Sequence, residues 1–426
     1  MRIAIAILPL LATPALADAV TYRGTIGTRD AIIELTEPSD GAVAGRFAFL
    51  DTGKAIPLNP ASHSGTTFVL SEEGRCTAEI CSFDDEGNAT SVPAEAHWEL
   101  TLQGTALTGT RKGTGKTKSQ EVTAEEIGRH PIDGDPTPLT LRDNIISAVL
   151  ADDGPIDPAK APFEMALADA PLVEQSTLTV GDAEVALMVD PRTRFAFPRI
   201  KSFVDGTRPE AVNAILANAH ARLNLSALDC LPNGYIGFGA NQYTFDSPET
   251  LGDYDSETVE LSYASSTLVS WTEAGSIYCG GAHPYNHFNS YTYDVQTGQP
   301  LDLSRLFSGW VAREYGAEDS NRADIEAARA NPDEFHWFPD DALIAFVRDN
   351  IPADYLSDDA EYETACYDDY SIREQLDIRF APGPSAVFTV SGYPHVSSVC
   401  NGDLFTLPLS EMDGLLTPEA TNYFKP

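Results

Sequence analysis

Basic residues are what this 426-residue chain has least of. Lys and Arg number 27 against 64 Asp and Glu, a net charge of −37. That imbalance disfavours nucleic acid and anionic membranes as partners, because binding to phosphate rests on Lys and Arg. It favours a basic protein partner, and it would equally serve a solubility or high-salt adaptation of the surface. Long apolar runs are also missing beyond the N-terminus, so no membrane-spanning segment is expected. Cysteines are few, and no C-x-x-C pair of the kind that holds structural zinc occurs among them. The G-x-S-x-G nucleophile elbow is absent. Gly113-Thr114-Gly115-Lys116-Thr117 imitates a phosphate loop, but Thr110 stands where that loop needs its first glycine.

What is present describes a folded, exported protein. The chain is 42% hydrophobic and 9% aromatic, too much for disorder. Arg2, the apolar run Ile3–Leu11 and the small-x-small pattern Ala15-Leu16-Ala17 read as a signal peptide over 1–17. A mature chain from about Asp18, in the periplasm or secreted, is the expectation. All six cysteines lie after that site, and an even count in an exported chain suggests disulfides. Fifteen pairings are formally open; neighbourhood favours Cys76–Cys81, Cys230–Cys279 and Cys366–Cys400.

The domain plan follows from periodicity. Residues 18–117 read as short strands separated by turns such as Pro38-Ser39-Asp40-Gly41, an antiparallel meander or small barrel. Trp98, Leu100 and Leu102 alternate with Glu99 and Thr101 in one of them. Residues 118–176 carry seven prolines from Pro131 to Pro171 and read as a connector, with a short helix over Leu141–Leu150. From 177 to 426 the pattern is mixed α+β. A helix opens after Thr207-Arg208-Pro209, with Val212, Ile215, Leu216, Ala219 and Leu223 as its apolar face. His220 reads as a surface or boundary histidine of that helix. Tyr235–Phe245 and Thr258–Ile277 read as long strands, Arg322–Ala330 and Asp340–Asp349 as helices. Leu376–Phe380, Ala386–Ser391 and Leu404–Leu409 read as closing strands.

The densest run of special residues is Tyr278-Cys279-Gly280-Gly281-Ala282-His283-Pro284-Tyr285-Asn286. The glycines permit positive φ after a tethered strand, and Pro284 fixes the exit. Tyr285, Asn286 and His287 read as a polar-aromatic loop suited to binding. His283 and His287 have a zinc-like spacing only on a helix; on a strand four residues span about 13 Å, too far for one ion. A His283–Asp294 catalytic pair is conceivable but has no evident nucleophile. The acidic turn Asp84–Asn88 and the alternation Asp253, Asp255, Glu257 lack the glycine and terminal glutamate of a calcium loop and read as solvated segments. No cofactor or metal is expected.

Residues Tyr278–Phe307 resemble the exported domain of RsiV-type anti-sigma factors, which sense lysozyme by binding it. The same domain accompanies some peptidoglycan deacetylases. The likeness rests on Gly280 to His283, the Asp-x-x-Thr-Gly turn Asp294–Gly298, and Leu301-x-Leu303-x-x-Leu306-Phe307. The resemblance covers 177–426, more weakly away from these motifs. No deacetylase motif and no membrane-spanning helix accompany it. It implies an α+β protein-binding module, with His283, Tyr285, Asn286, His287 and Asp294 as candidate binding residues and a lysozyme-like muramidase as partner. The alternatives are an envelope hydrolase or deacetylase using His283 and Asp294, and a structural envelope protein.

Overall fold

The computed structural model describes the chain outside residues 1–17, 38–42, 78, 133–134, 136, 146–148, 150–153, 236–249, 281–282, 318–321, 357–363 and 425–426. The leader expected over 1–17, the turn Pro38–Gly41 and most of the strand expected over Tyr235–Phe245 lie outside the described residues. The fold is α+β and its sheets are antiparallel. Two units build it, one from residues 18–149 and 157–167, the other from 154–156, 168–234 and 250–424.

The first unit is an eight-stranded closed barrel. Its strands are β1 (Asp18–Ile26), β2 (Arg29–Thr36), β3 (Gly45–Phe49), β4 (Ile56–Ser64) and β5 (Thr67–Glu73). After the small hairpin β6 (Ser82–Phe83) and β7 (Ala89–Ser91) come β8 (Ala94–Gln103), β9 (Ala106–Gly113) and β10 (Gln120–Pro131). Each strand pairs with its chain neighbour, β5 passes to β8 across the small hairpin, and β10 closes on β1. Strict alternation sends Val20, Tyr22, Ile33, Phe47, Trp98 and Leu100 inward, where they fill the barrel. A buried carboxylate, Glu72, takes the paired nitrogens of Arg111 and the Trp98 indole N–H at 2.7–2.8 Å.

Strand β10 corrects the reading of 118–131 as connector. Gln120–Glu125 alternates small apolar and charged residues, with Val122 and Ala124 buried, and Pro131 ends the strand rather than a linker. The phosphate-loop mimic Gly113–Thr117 is correspondingly the hairpin turn from β9 to β10, not the exit from a domain. Two short helices follow, α1 (Pro138–Ile145) and α2 (Pro162–Ala168), both opened by proline where a missing N–H costs nothing. The Arg46 side chain leaves the outer face of β3 and ties α2 to the barrel. It donates to Glu34 and to Glu164 at 2.6 Å each and lies 4.0 Å over the Phe163 ring.

The second unit stacks small sheets. Strands β11 (Val173–Val180), β12 (Ala183–Val189) and β13 (Ala196–Phe203) form one, and α3 (Glu210–Cys230) follows it. The run Thr258–Ile277 is a hairpin, β14 (Thr258–Ala264) and β15 (Leu268–Ile277), continued by β16 (Tyr285–Asp294) and the short β17 (Gln299–Pro300). Then come β18 (Trp310–Glu314), α4 (Ile325–Ala330), β19 (Phe335–Pro339), α5 (Asp341–Asn350) and α6 (Asp369–Gln375). Asp324, Asp340 and Asp368 cap the three helices through their side chains. The sheet β20 (Leu376–Ala381), β21 (Ser385–Val390) and β22 (Gly402–Pro408) ends the chain's regular structure. Leu301, Leu303, Leu306 and Phe307 are buried with Leu343, Ile344, Phe380 and Phe388 in the main core. The apolar half of the Tyr278–Phe307 motif therefore has a packing reason of its own.

Disulfides join Cys76 to Cys81, Cys230 to Cys279 and Cys366 to Cys400, the pairs that neighbourhood in the sequence suggests. They fit an oxidising compartment. Among the described residues no helix is long and apolar enough to cross a membrane.

Candidate functional site

Strand β15 ends at Ile277, and two residues on the disulfide of Cys279 fastens that end to the last residue of α3, Cys230, with Cα atoms 5.1 Å apart. The approach is close. At Gly252, φ is +61° and an added Cβ would sit 2.5 Å from the Cys279 sulfur, so only glycine fits. Asn233 donates to the Cys279 carbonyl and the Tyr278 N–H to that of Gly252. The turn that follows begins at Gly280 with φ +101°. Gly281 and Ala282 of the Gly-Gly-Ala-His motif lie outside the described residues; His283 is exposed.

Tyr285, Asn286 and His287 are not in a loop. They open β16, where each residue pairs with β15 from Tyr285↔Ile277 onward. The change of state follows from the polar, aromatic and Thr/Ser-rich sequence Tyr285–Tyr293, which suits a half-buried strand with one wet face. Alternation then divides the candidates. Asn286 faces one way, accepting from Ser276 at 2.6 Å. His287 faces the other, with Tyr285, Asn289, Tyr291 and Tyr293.

That second face looks across to α3 over a cleft of about 190 Å³. Trp271 and Glu273 of β15 and Tyr254 join the ladder in lining it, with Arg222 and Ser226 from α3. Trp271 stacks on Tyr291 and Tyr293 at 5.1 and 5.2 Å, and Tyr285 on His287 at 5.4 Å. Two carboxylates stand close by, one in the wall and one behind His287. Glu273 is buried and accepts the Trp271 indole N–H at 2.8 Å. Glu257 lies 2.8 Å from His287 Nε2, with both side chains almost wholly buried. Gly275 makes room for that pair, since a Cβ there would stand 2.2 Å from Glu257 Oε2.

Electrostatics follow from this packing. Burial opposes a charge on His287, but the hydrogen bond to Glu257 and its negative charge outweigh it, so the imidazole is raised above its ordinary value. Burial first, then the Glu257 charge, holds the Tyr254 phenol well above its usual range. On α3, His220 is buried, not at the surface as its sequence suggested: it stacks on Phe197 at 5.0 Å, because the helix is wrapped on two faces. Burial and the neighbouring Arg199 push it down to about 3, so it is neutral.

Asp294 belongs elsewhere. It is the last residue of β16, whose ten residues span about 30 Å. His283 precedes the first of them, so the two cannot act on one bond. Asp294 is occupied in its own turn, accepting from Gln296 N at 2.8 Å and Thr297 N at 3.2 Å, and from the Tyr423 hydroxyl at 3.0 Å. His283 and His287 likewise do not converge, the latter being committed to Glu257. Among the described residues no group of three His, Cys, Asp or Glu side chains is set to hold a metal.

Sequence reasoning passed over Glu257, Glu273, Trp271 and Tyr254. Glu257 read as a solvated strand start, yet it is buried because His287 meets it over Gly275 of the intervening strand β15. A signal was available in the alternation of Trp271 and Glu273 with Ser270 and Thr272, in phase with Tyr291 and Asn289 on the partner strand. Comparison with protein-family models finds no match for this chain, and comparison with curated proteins finds no significant one.

Proposed function

We propose that this is an exported, non-catalytic binding protein of the cell envelope, whose partner is a basic protein of the lysozyme-like muramidase kind. The observation that carries the reading is the polar-aromatic ladder of β16, which starts at the exposed Tyr285, two residues after the exposed His283, and borders a cleft with Glu273 in its wall. Tyrosine and tryptophan supply large rigid contact area with a polar tip, as recognition surfaces do. The net charge of −37 supports a basic partner by steering its approach. The resemblance of Tyr278–Phe307 to the lysozyme-sensing domain supports the identity of that partner.

Calorimetry with a c-type lysozyme at low salt tests it, and absence of binding there overturns the muramidase assignment. His283→Ala and Tyr285→Ala each remove an exposed side chain, so affinity should fall about tenfold, or about 1.4 kcal/mol, with the melting temperature unchanged. Wild-type affinity in both variants removes this surface from the interface. The hydrolase reading has one observation in its favour, the Glu257–His287 pair and Glu273 bordering one cleft. It predicts turnover of peptidoglycan fragments that survives Asp294→Ala and is lost in Glu273→Gln.

A further inference from the structure

A larger cleft, of about 1180 Å³, opens in the second unit at the Asp294 end of β16. Its size exceeds the range of roughly 300–1,000 Å³ typical of small-ligand pockets. The chain has four tryptophans. Trp98 is sealed in the barrel core and Trp271 is buried against the smaller cleft, whereas Trp310 and Trp337 are half-buried and both line this larger one. Their register explains it. Trp310 pairs with Pro339 and Ala312 with Trp337, so both tryptophans stand on one face of the β18–β19 hairpin as diagonal neighbours, their backbone positions about 7 Å apart.

The charged groups around them already hold hydrogen-bond partners within the fold. Arg329 donates to Asp302 at 2.7 Å and to Ser304 Oγ at 2.9 Å. Arg305 donates to Glu419 at 3.3 Å, and the Tyr423 hydroxyl to Asp294 at 3.0 Å. Such a wall offers oriented hydrogen-bonding groups, and its two guanidinium groups are already engaged, so it has no free cation that calls for an anionic ligand. The exposed amides of Gln299 and Asn422 stand on the same wall.

We propose that this cleft binds a neutral oligosaccharide of β-linked pyranose rings. Equatorially substituted pyranoses present a flat C–H face and an edge of hydroxyls. The C–H face stacks on an aromatic ring and loses apolar surface there. The hydroxyl edge both donates and accepts, which suits a wall of paired carboxylates, guanidinium groups and amides. Two indoles one sugar step or so apart give two successive rings a platform each. The inference does not rest on the muramidase-binding reading, and either can fail while the other stands.

The test is titration of the whole protein with cellotetraose and with chitotetraose, followed by calorimetry and tryptophan emission, with maltotetraose as the α-linked control. The expected result is saturable binding of at least one β-linked tetramer, at millimolar affinity or tighter, with a shift in emission and little response to maltotetraose. The relative strength of the two tetramers reports whether an acetamido group adds to recognition. Trp337→Ala should weaken binding about tenfold or more, whereas Trp337→Phe should keep most of it. Gln299→Ala, at an exposed position, should weaken binding severalfold with the fold untouched, and serves as the test should Trp337→Ala not fold. No heat and no emission change with either β-linked tetramer overturns the proposal. So does equal binding of the α-linked control, or wild-type affinity in Trp337→Phe, Trp337→Ala and Gln299→Ala alike.

Discussion

His287 is the residue in which local structure and chemistry meet most tightly. Its ring is stacked on Tyr285, its Nε2 meets Glu257, and Gly275 leaves the space that the pair occupies. Because its folded value is raised above 6.5, the charged imidazole stabilises the native state below about pH 6.5. That contribution is lost as pH rises through the raised value. The melting temperature should therefore fall with increasing pH across neutrality, and His287→Gln should flatten that slope and be most destabilised at the acid end. Parallel pH profiles for the two proteins would refute the pairing. The other histidines leave this comparison intact, since it reads only the difference between wild type and one substitution.

Elements were legible from the sequence where one period governed them. Strand β12, helix α3 from Pro209 and the three closing strands β20–β22 follow from alternation or helical spacing read directly. Strand β10 was not legible, because proline density in 131–171 outweighed a short alternation of small residues before it. The site was legible only in part. Tyr285 and His287 belong to the ladder, but Glu257, which meets His287, and Trp271, which stacks on Tyr291 and Tyr293, are placed by a strand register that a linear reading cannot supply. Helix α2 poses the same difficulty in sharper form. Nothing in Pro162–Ala168 announces that Glu164 docks on Arg46, 118 residues earlier. That contact carries its own prediction. Arg46 is raised above its ordinary value by Glu164 and Glu34 against the cost of burial, and both carboxylates are buried around it. Arg46→Met strips Glu164 of its cation and leaves Glu34 only His130 and Thr21, and should cost about 3–5 kcal/mol in urea unfolding of the barrel unit. Adding Glu164→Gln should recover part of that loss. A loss below about 1 kcal/mol would mean that the network is solvated in solution.

At the scale of the whole molecule, charge acts in two directions that one experiment separates. A net charge of −37 repels itself in the folded state more than in the expanded unfolded chain, so screening should stabilise the fold. The same charge attracts a basic partner, so screening should weaken that complex. The Debye length shrinks from about 30 Å at 0.01 M salt to about 8 Å at 0.15 M, which screens the repulsion between distant surface carboxylates. Raising salt across this range should therefore increase the melting temperature while lowering the affinity for lysozyme, chiefly through slower association. Cellotetraose binding should not move, because the ligand carries no charge and both guanidinium groups of the cleft are engaged within the wall. If melting temperature and lysozyme affinity both fell with salt, local ion pairs such as Arg29–Asp51 and Arg348–Asp369 would dominate stability over long-range repulsion. If lysozyme affinity held constant, the acidity would be a property of the surface alone, and recognition would have to rest on the aromatic ladder of β16.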